Sequence, residues 1–144
     1  MSSLTPFHVA VTVRDLDEAR KFYCGLLGCE EGRSDIDWID FNLFGHQFVC
    51  HRLSDSSLKE KEPQNHNFVD GKKVPVPHCG VVLLLDEWER LAARLLAADA
   101  HFIIEPYIRF RGQPGEQGTL FISDPSGNAL EFKGFRDFDT LFAA

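Results

Sequence analysis

No stretch of this chain approaches the roughly 20 consecutive apolar residues that a helix needs to cross a bilayer. Its opening, MSSLTPFHVA, has neither the basic flank nor the long apolar core of a secretory leader. No membrane partner is expected, and the expected location is cytoplasmic. Cationic side chains are also in short supply: 15 Lys and Arg face 22 Asp and Glu, for a net charge of -7. The basic cluster of Arg109 and Arg111 is too small to offset that balance. A nucleic-acid partner, which requires concentrated cations against phosphates, is therefore not expected. Cys24, Cys29, Cys50 and Cys79 include no closely spaced CxxC pair. That spacing argues against a disulfide scaffold and against a thiolate zinc knuckle, leaving ordinary buried or half-buried thiols.

What the sequence does have is apolar patterning, with 44% hydrophobic residues and 13 Phe in 144 positions. That is enough for one well-filled core, or for two small modules sharing one. FHVAVTV reads as a strand and leads directly into a helix in which Leu16, Ala19, Phe22, Tyr23, Leu26 and Leu27 recur at helical spacing. Asp15 is placed to cap that helix and Gly28 to end it. Three more strands are predicted around Cys29 to Arg33, Trp38 to Leu43 and Phe48 to Leu53, with FGHQ as the last turn. Residues 55–74 are polar, charged and punctuated by Gly and Pro, and are read as a linker or mobile loop. The order then recurs. HCGVVLLL is a strand, DEWERLAARLLAADA a helix with a D-x-x-E start resembling a capping box, and HFIIEPY, GTLFIS and ALEFKGF are strands. The predicted fold is α+β, two βαβββ modules at about 5–54 and 75–136, with a short closing helix over 136–144.

The repeat can be counted. His8 and His78 differ by 70 positions, the expected caps Asp15 and Asp86 by 71, and FGHQFV aligns with SGNALE at an offset of 82, which sets Val49 against Glu131. Each module thus opens on a histidine, and one of them ends on a carboxylate. A lone strand histidine is ordinarily a satisfied structural residue. A glutamate within NALEFKGF is harder to dismiss, because an unpaired carboxylate in a core is costly. His8, His78 and Glu131 together offer imidazole nitrogen and carboxylate oxygen, the donors that suit Fe(II), Mn(II), Ni(II) or Zn(II).

The strand histidine followed by VRDLDEARKFYCGLLG, the second strand histidine and DPSGNALEF together resemble the vicinal oxygen chelate superfamily. That group includes glyoxalase I, fosfomycin and bleomycin resistance proteins and extradiol dioxygenases, and the resemblance runs from about residue 6 to 135. It implies paired βαβββ modules curled into a cup around one divalent metal, usually in a homodimer, with His8, His78 and Glu131 as ligands. It also implies a small-molecule substrate. Glyoxalase I is expected to supply a further carboxylate or amide ligand at the end of the first module, where this chain has Val49. The substitution favours members with two histidines and one carboxylate, the extradiol dioxygenases and the fosfomycin thiol transferases.

The leading expectation is an Fe(II) extradiol-like dioxygenase acting on a small aromatic diol. A thiol transferase or glyoxalase-like isomerase is the alternative, and a binding protein without turnover is a third reading. Ring cleavage calls for a base. His51 lies two residues beyond Val49 and so on the same strand face; an exposed strand-end residue is the equal alternative. The tyrosine common in extradiol enzymes on the strand before the glutamate is here Phe121, with Tyr107 as a substitute acid or an amphipathic edge residue. Arg109, Phe121, Tyr107 and Gln47 are the expected substrate contacts.

Overall fold

The computed structural model describes residues 4–53 and 65–143. The chain divides into two compact units, residues 1–61 with 125–127 and residues 62–124 with 128–144. Each contains a four-stranded mixed sheet in the expected βαβββ order, and the α+β class is as the sequence implied.

In the first unit, β1 (His8–Val13) leads to α1 (Leu16–Arg20), which widens into a π-helical turn over Lys21–Leu26. Then come β2 (Glu30–Asp35), β3 (Trp38–Leu43) and β4 (His46–Arg52), paired in the order β1-β4-β3-β2 with β1 parallel to β4. Asp15 caps the helix as expected, its Oδ1 accepting from the Glu18 amide at 2.7 Å. The wide turn is closed by the Leu27 amide donating to the Phe22 carbonyl at 3.0 Å, and Gly28, at φ 76°, ends it. This widening brings Tyr23 into full burial against Phe41 and Phe48, with ring centroids 5.2 and 4.9 Å away. Strand alternation turns Ile39, Phe41, Leu43, Phe48 and Cys50 into the core. His8, Asp40, Gln47, Val49 and His51 consequently share the opposite face.

In the second unit, β7 (Cys79–Leu84) passes into α2 (Leu85–Ala97), followed by β8 (Phe102–Arg109), β9 (Gln117–Ser123) and β10 (Ala129–Phe135). The order is β7-β10-β9-β8, with β7 parallel to β10. Trp88 of α2 is 4% exposed and donates its indole N–H to the Phe132 carbonyl at 2.9 Å. A Cβ at Gly118 or Gly134 would come within 2.7 or 2.5 Å of Trp88, so the helix rests on two positions that have no side chain.

Three expectations need correction. The segment read as a linker contains a hairpin, β5 (Asn65–Val69) and β6 (Lys72–Val76); residues 55–64 of that segment lie outside the described residues. Asp70 and Gly71 sit at φ 52° and 72°, the paired left-handed conformation of a two-residue hairpin turn, so VDGK marked a turn between strands. The expected Asp86 cap is already inside α2. The helix starts at Leu85, no side chain caps it, and Asp86 Oδ1 takes only the neighbouring Glu87 amide at 2.9 Å. Its charge still favours the helix N-terminus. Finally, the closing helix is a single 3-10 turn, Phe138–Thr140, because the segment buries no apolar stripe: Phe138 is exposed and Phe142 more so.

The strand register reproduces the counted repeat. Ala10 is paired with Val49 between β1 and β4, as Gly80 is paired with Glu131 between β7 and β10. Val49 therefore occupies in the first sheet the place that Glu131 holds in the second.

Candidate metal centre

Glu131 sits inside β10 between Gly80 of β7 and Phe121 of β9. A Cβ at Gly80 would lie 1.5 Å from the Glu131 carbonyl oxygen, so the close approach of β7 to β10 beside this glutamate depends on glycine. His78 immediately precedes β7, and its Nε2 is 3.1 Å from Glu131 Oε1. The other ring nitrogen, Nδ1, is 2.7 Å from the carbonyl oxygen of Pro75, which is buried in β6. A carbonyl only accepts, so Nδ1 carries the hydrogen and the Nε2 lone pair of a neutral His78 faces Glu131. Phe121, 2% exposed, meets the imidazole edge to face at 4.9 Å and restricts its rotation. On the carboxylate, Oε2 accepts from the hydroxyl of buried Thr119 at 2.6 Å, leaving Oε1 toward His78.

These contacts set the charge of the pair. The hydrogen bond with Glu131 is the main influence raising the His78 pKa above its usual 6.5; burial opposes it, and the Pro75 carbonyl adds to it. For Glu131, burial is the largest single influence and pushes upward. Hydrogen bonds from His78 and Thr119, aided by Lys133, outweigh it and hold the carboxyl below its usual range. Two ligands bound at about 2.1 Å and at right angles stand about 3.0 Å apart. The 3.1 Å between Nε2 and Oε1 thus fits adjacent positions on one ion, and the donor types suit a borderline divalent metal. A metal would have to compete with the proton on Nε2.

In the first unit, His8 Nδ1 is 2.8 Å from Gln47 Oε1, and Gln47 Nε2 donates to Asp40 Oδ2 at 3.3 Å. His51 is exposed near the end of β4, in register with Thr12 and Trp38. The neighbouring His46 is occupied: its Nδ1 accepts from the Phe7 amide at 2.8 Å. Among the described residues, no group of three or more His, Cys, Asp or Glu is assembled that could hold a metal. The structure brings together His78 with Glu131, and His8 with Gln47.

The remaining expected contacts meet the hairpin. Asp70 at its turn accepts from Arg109 Nε at 2.6 Å and from the Tyr107 hydroxyl at 3.1 Å. The Lys72 ammonium stands 4.6 Å from the centre of the Tyr107 ring. Burial first, then the Asp70 hydrogen bond, raise the Tyr107 pKa. Thr119 went unnoticed in the sequence although strand alternation from Phe121 places it on the same face. Pro75 carries no local signal of its own and Asp70 signals only the turn: the contacts both make follow from the hairpin.

Two sheets of this topology, one with a histidine and carboxylate in contact beside the parallel pair, define the α+β class built on paired βαβββ modules. The chain belongs to the Glyoxalase/Bleomycin resistance protein/Dioxygenase superfamily, whose family model matches residues 5–132. It is similar to a glyoxalase/bleomycin resistance protein/dioxygenase from Alicyclobacillus acidocaldarius, at 32% identity and TM-score 0.76, covering 96% of each chain. At 16% identity it shares the fold of the fosfomycin resistance protein FosX from Listeria monocytogenes, with TM-score 0.62, covering 97% of this chain and 98% of that one. At 17% identity it shares that of a lactoylglutathione lyase from Agrobacterium tumefaciens, with TM-score 0.59 and full coverage of both chains. Among curated proteins, none matches the chain. No described helix is long and apolar enough to cross a membrane.

Proposed function

We propose that this chain is a divalent-metal enzyme in which His78, Glu131 and His8 hold the ion and a small substrate presents two adjacent oxygens to it. The observation that carries this reading is the His78–Glu131 pair. Each side chain has its outer atom committed, to Pro75 and to Thr119, and the two inner atoms stand at a ligand-to-ligand distance. His8 would come from the same chain or from a second copy in a homodimer. A bound ion would supply Lewis acidity, lowering the pKa of the substrate hydroxyls.

For the reaction, we favour extradiol-like cleavage of a small aromatic diol with Fe(II), with His51 as the base that takes a hydroxyl proton. Val49 supports the choice, since it leaves no fourth protein ligand and so more room for substrate. A second reading, a lyase, isomerase or thiol transferase, is favoured by two observations: Phe121 replaces a phenolic acid, and the Tyr107 hydroxyl is engaged by Asp70. Arg109, also held by Asp70, would contact an anionic substrate only by sharing that partner.

Metal titration of chelator-treated protein tests the first claim. Wild type is expected to bind Zn(II) or Mn(II), and His78→Ala to lose most of that affinity; full retention by the variant refutes the site. Oxygen uptake with catechols after anaerobic Fe(II) loading then separates the two chemistries, because only the dioxygenase consumes dioxygen.

A further inference from the structure

The geometry points to Gln47 as a positioning residue that fixes which nitrogen of His8 is free, with its own orientation set by Asp40. The inference rests on His8 being a metal ligand, as proposed above, and it reassigns Gln47 from substrate contact to support.

A glutamine amide has a donating and an accepting end, and its neighbours determine which end faces which way. Here one neighbour is a carboxylate, which accepts. Asp40 Oδ2 lies 3.3 Å from Gln47 Nε2, so the NH2 group faces Asp40 and the carbonyl oxygen Oε1 faces His8, 2.8 Å from Nδ1. An oxygen that can only accept requires a hydrogen on Nδ1. A neutral His8 is then the tautomer whose lone pair is on Nε2. Asp40 thus sets the tautomer of an imidazole it does not touch.

The second unit reaches the same end by another route. His78 Nδ1 also donates to a carbonyl oxygen, but that oxygen belongs to the main chain of Pro75. Both histidines are therefore prepared to offer Nε2, one by a side chain that evolution can alter and one by a backbone that it cannot easily alter. Gln47 pairs with His8 across β1 and β4 and with Asn42 across β3 and β4, and Asp40 pairs with Val49. The sheet register holds all three polar side chains on one face. Among the described residues, Arg33 brings a cation toward this carboxylate, with its Nε 4.0 Å from Asp40 Oδ2.

Outer-shell partners of ligating histidines commonly contribute 10- to 100-fold in metal affinity. This one is exposed to solvent, so the lower end applies. Two measurements test it on the full chain. In metal-free protein at alkaline pH, the nitrogen chemical shifts of His8 should report hydrogen on Nδ1. Gln47→Leu should lose that bias, Gln47→Glu should keep it because a carboxylate still accepts, and Asp40→Ala should weaken it while leaving Gln47 in place. In Zn(II) titrations, Gln47→Leu should bind roughly tenfold more weakly, with Gln47→Glu restoring affinity. A hydrogen that remains on Nδ1 in folded Gln47→Leu and Asp40→Ala overturns the positioning role even if wild type binds zinc. If wild type binds no metal while the tautomer responds as stated, the metal reading fails and the Gln47–Asp40 relay stands. Should Gln47→Leu not fold, Asp40→Ala and Gln47→Glu decide the matter by the same shifts.

Discussion

At the scale of single residues, the second unit's site depends on side chains that leave room or finish a hydrogen bond. Gly80 is an instance of the first: any Cβ there meets the Glu131 carbonyl oxygen at 1.5 Å, and backbone on the neighbouring strand has little freedom to retreat. Gly80→Ala is expected to force β7 and β10 apart. The loss should be about 3 kcal/mol, the upper end for overpacking, measured by denaturant unfolding, with reduced Zn(II) affinity as β10 shifts. Stability equal to wild type would mean that the strands are not this close. Thr119 is an instance of the second. Thr119→Val keeps the shape and deletes the hydroxyl that donates to Glu131 Oε2. Leaving a largely buried carboxylate oxygen unsatisfied should cost about 1–3 kcal/mol, and Thr119→Ser should recover most of it.

Among the elements, the hairpin β5–β6 is the part least legible in the sequence and the one most bound up with the site. Its turn was encoded in Asp70 and Gly71, yet its strands, NHNFV and KKVPV, carry too many polar residues and a proline to show a clear alternation. By contrast the sheet strands other than β2, whose EEGRSD is polar and exposed throughout, were legible from their apolar residues, and α1 because its cap and stripe agree. The start of α2 was misplaced for a physical reason: Asp86 and Glu89 imitate a capping box, whereas the helix already begins at Leu85, whose burial holds that turn. The hairpin also gives a pH prediction. The hydrogen bond from Arg109, followed by that from Tyr107, holds the Asp70 carboxyl below its usual 3.8, with burial opposing. A lowered folded value means that the latch contributes fully above the unfolded aspartate value and is lost as pH falls through the folded one. The Arg109 Nε–H and Tyr107 ring resonances should accordingly hold steady from neutral pH down to about 4 and shift together below it. In Asp70→Asn that common transition should be absent; its persistence would assign the titration to another group.

For the whole molecule, the duplicated module makes a prediction that neither unit makes alone. His8, His78 and Glu131 stand out as candidates because the sequence repeats, and the strand register matches that repeat at Ala10–Val49 and Gly80–Glu131. What sequence spacing could not supply was the orientation of each imidazole, since this depends on Pro75 and Gln47, which become neighbours only after the hairpin and β4 are paired. Val49 is 5% exposed on the face that carries His8 and Gln47. Replacing it by glutamate puts a carboxylate where the second sheet has its own. Without metal, Val49→Glu should lower stability by several kcal/mol, because the new charge is buried without the histidine and threonine partners that Glu131 has. If the site binds metal and the repeat extends to function, added Zn(II) should raise the thermal midpoint of Val49→Glu by more than it raises that of wild type, since the ion then gains a ligand and relieves a buried charge. Val49→Gln, uncharged but still a donor to metal, should show a smaller initial loss and a gain of the same sign. Scanning calorimetry with and without zinc measures both. An equal zinc increment in all three proteins would mean that position 49 does not face the ion, and that the two modules, alike in backbone, are not alike in what their last strands present.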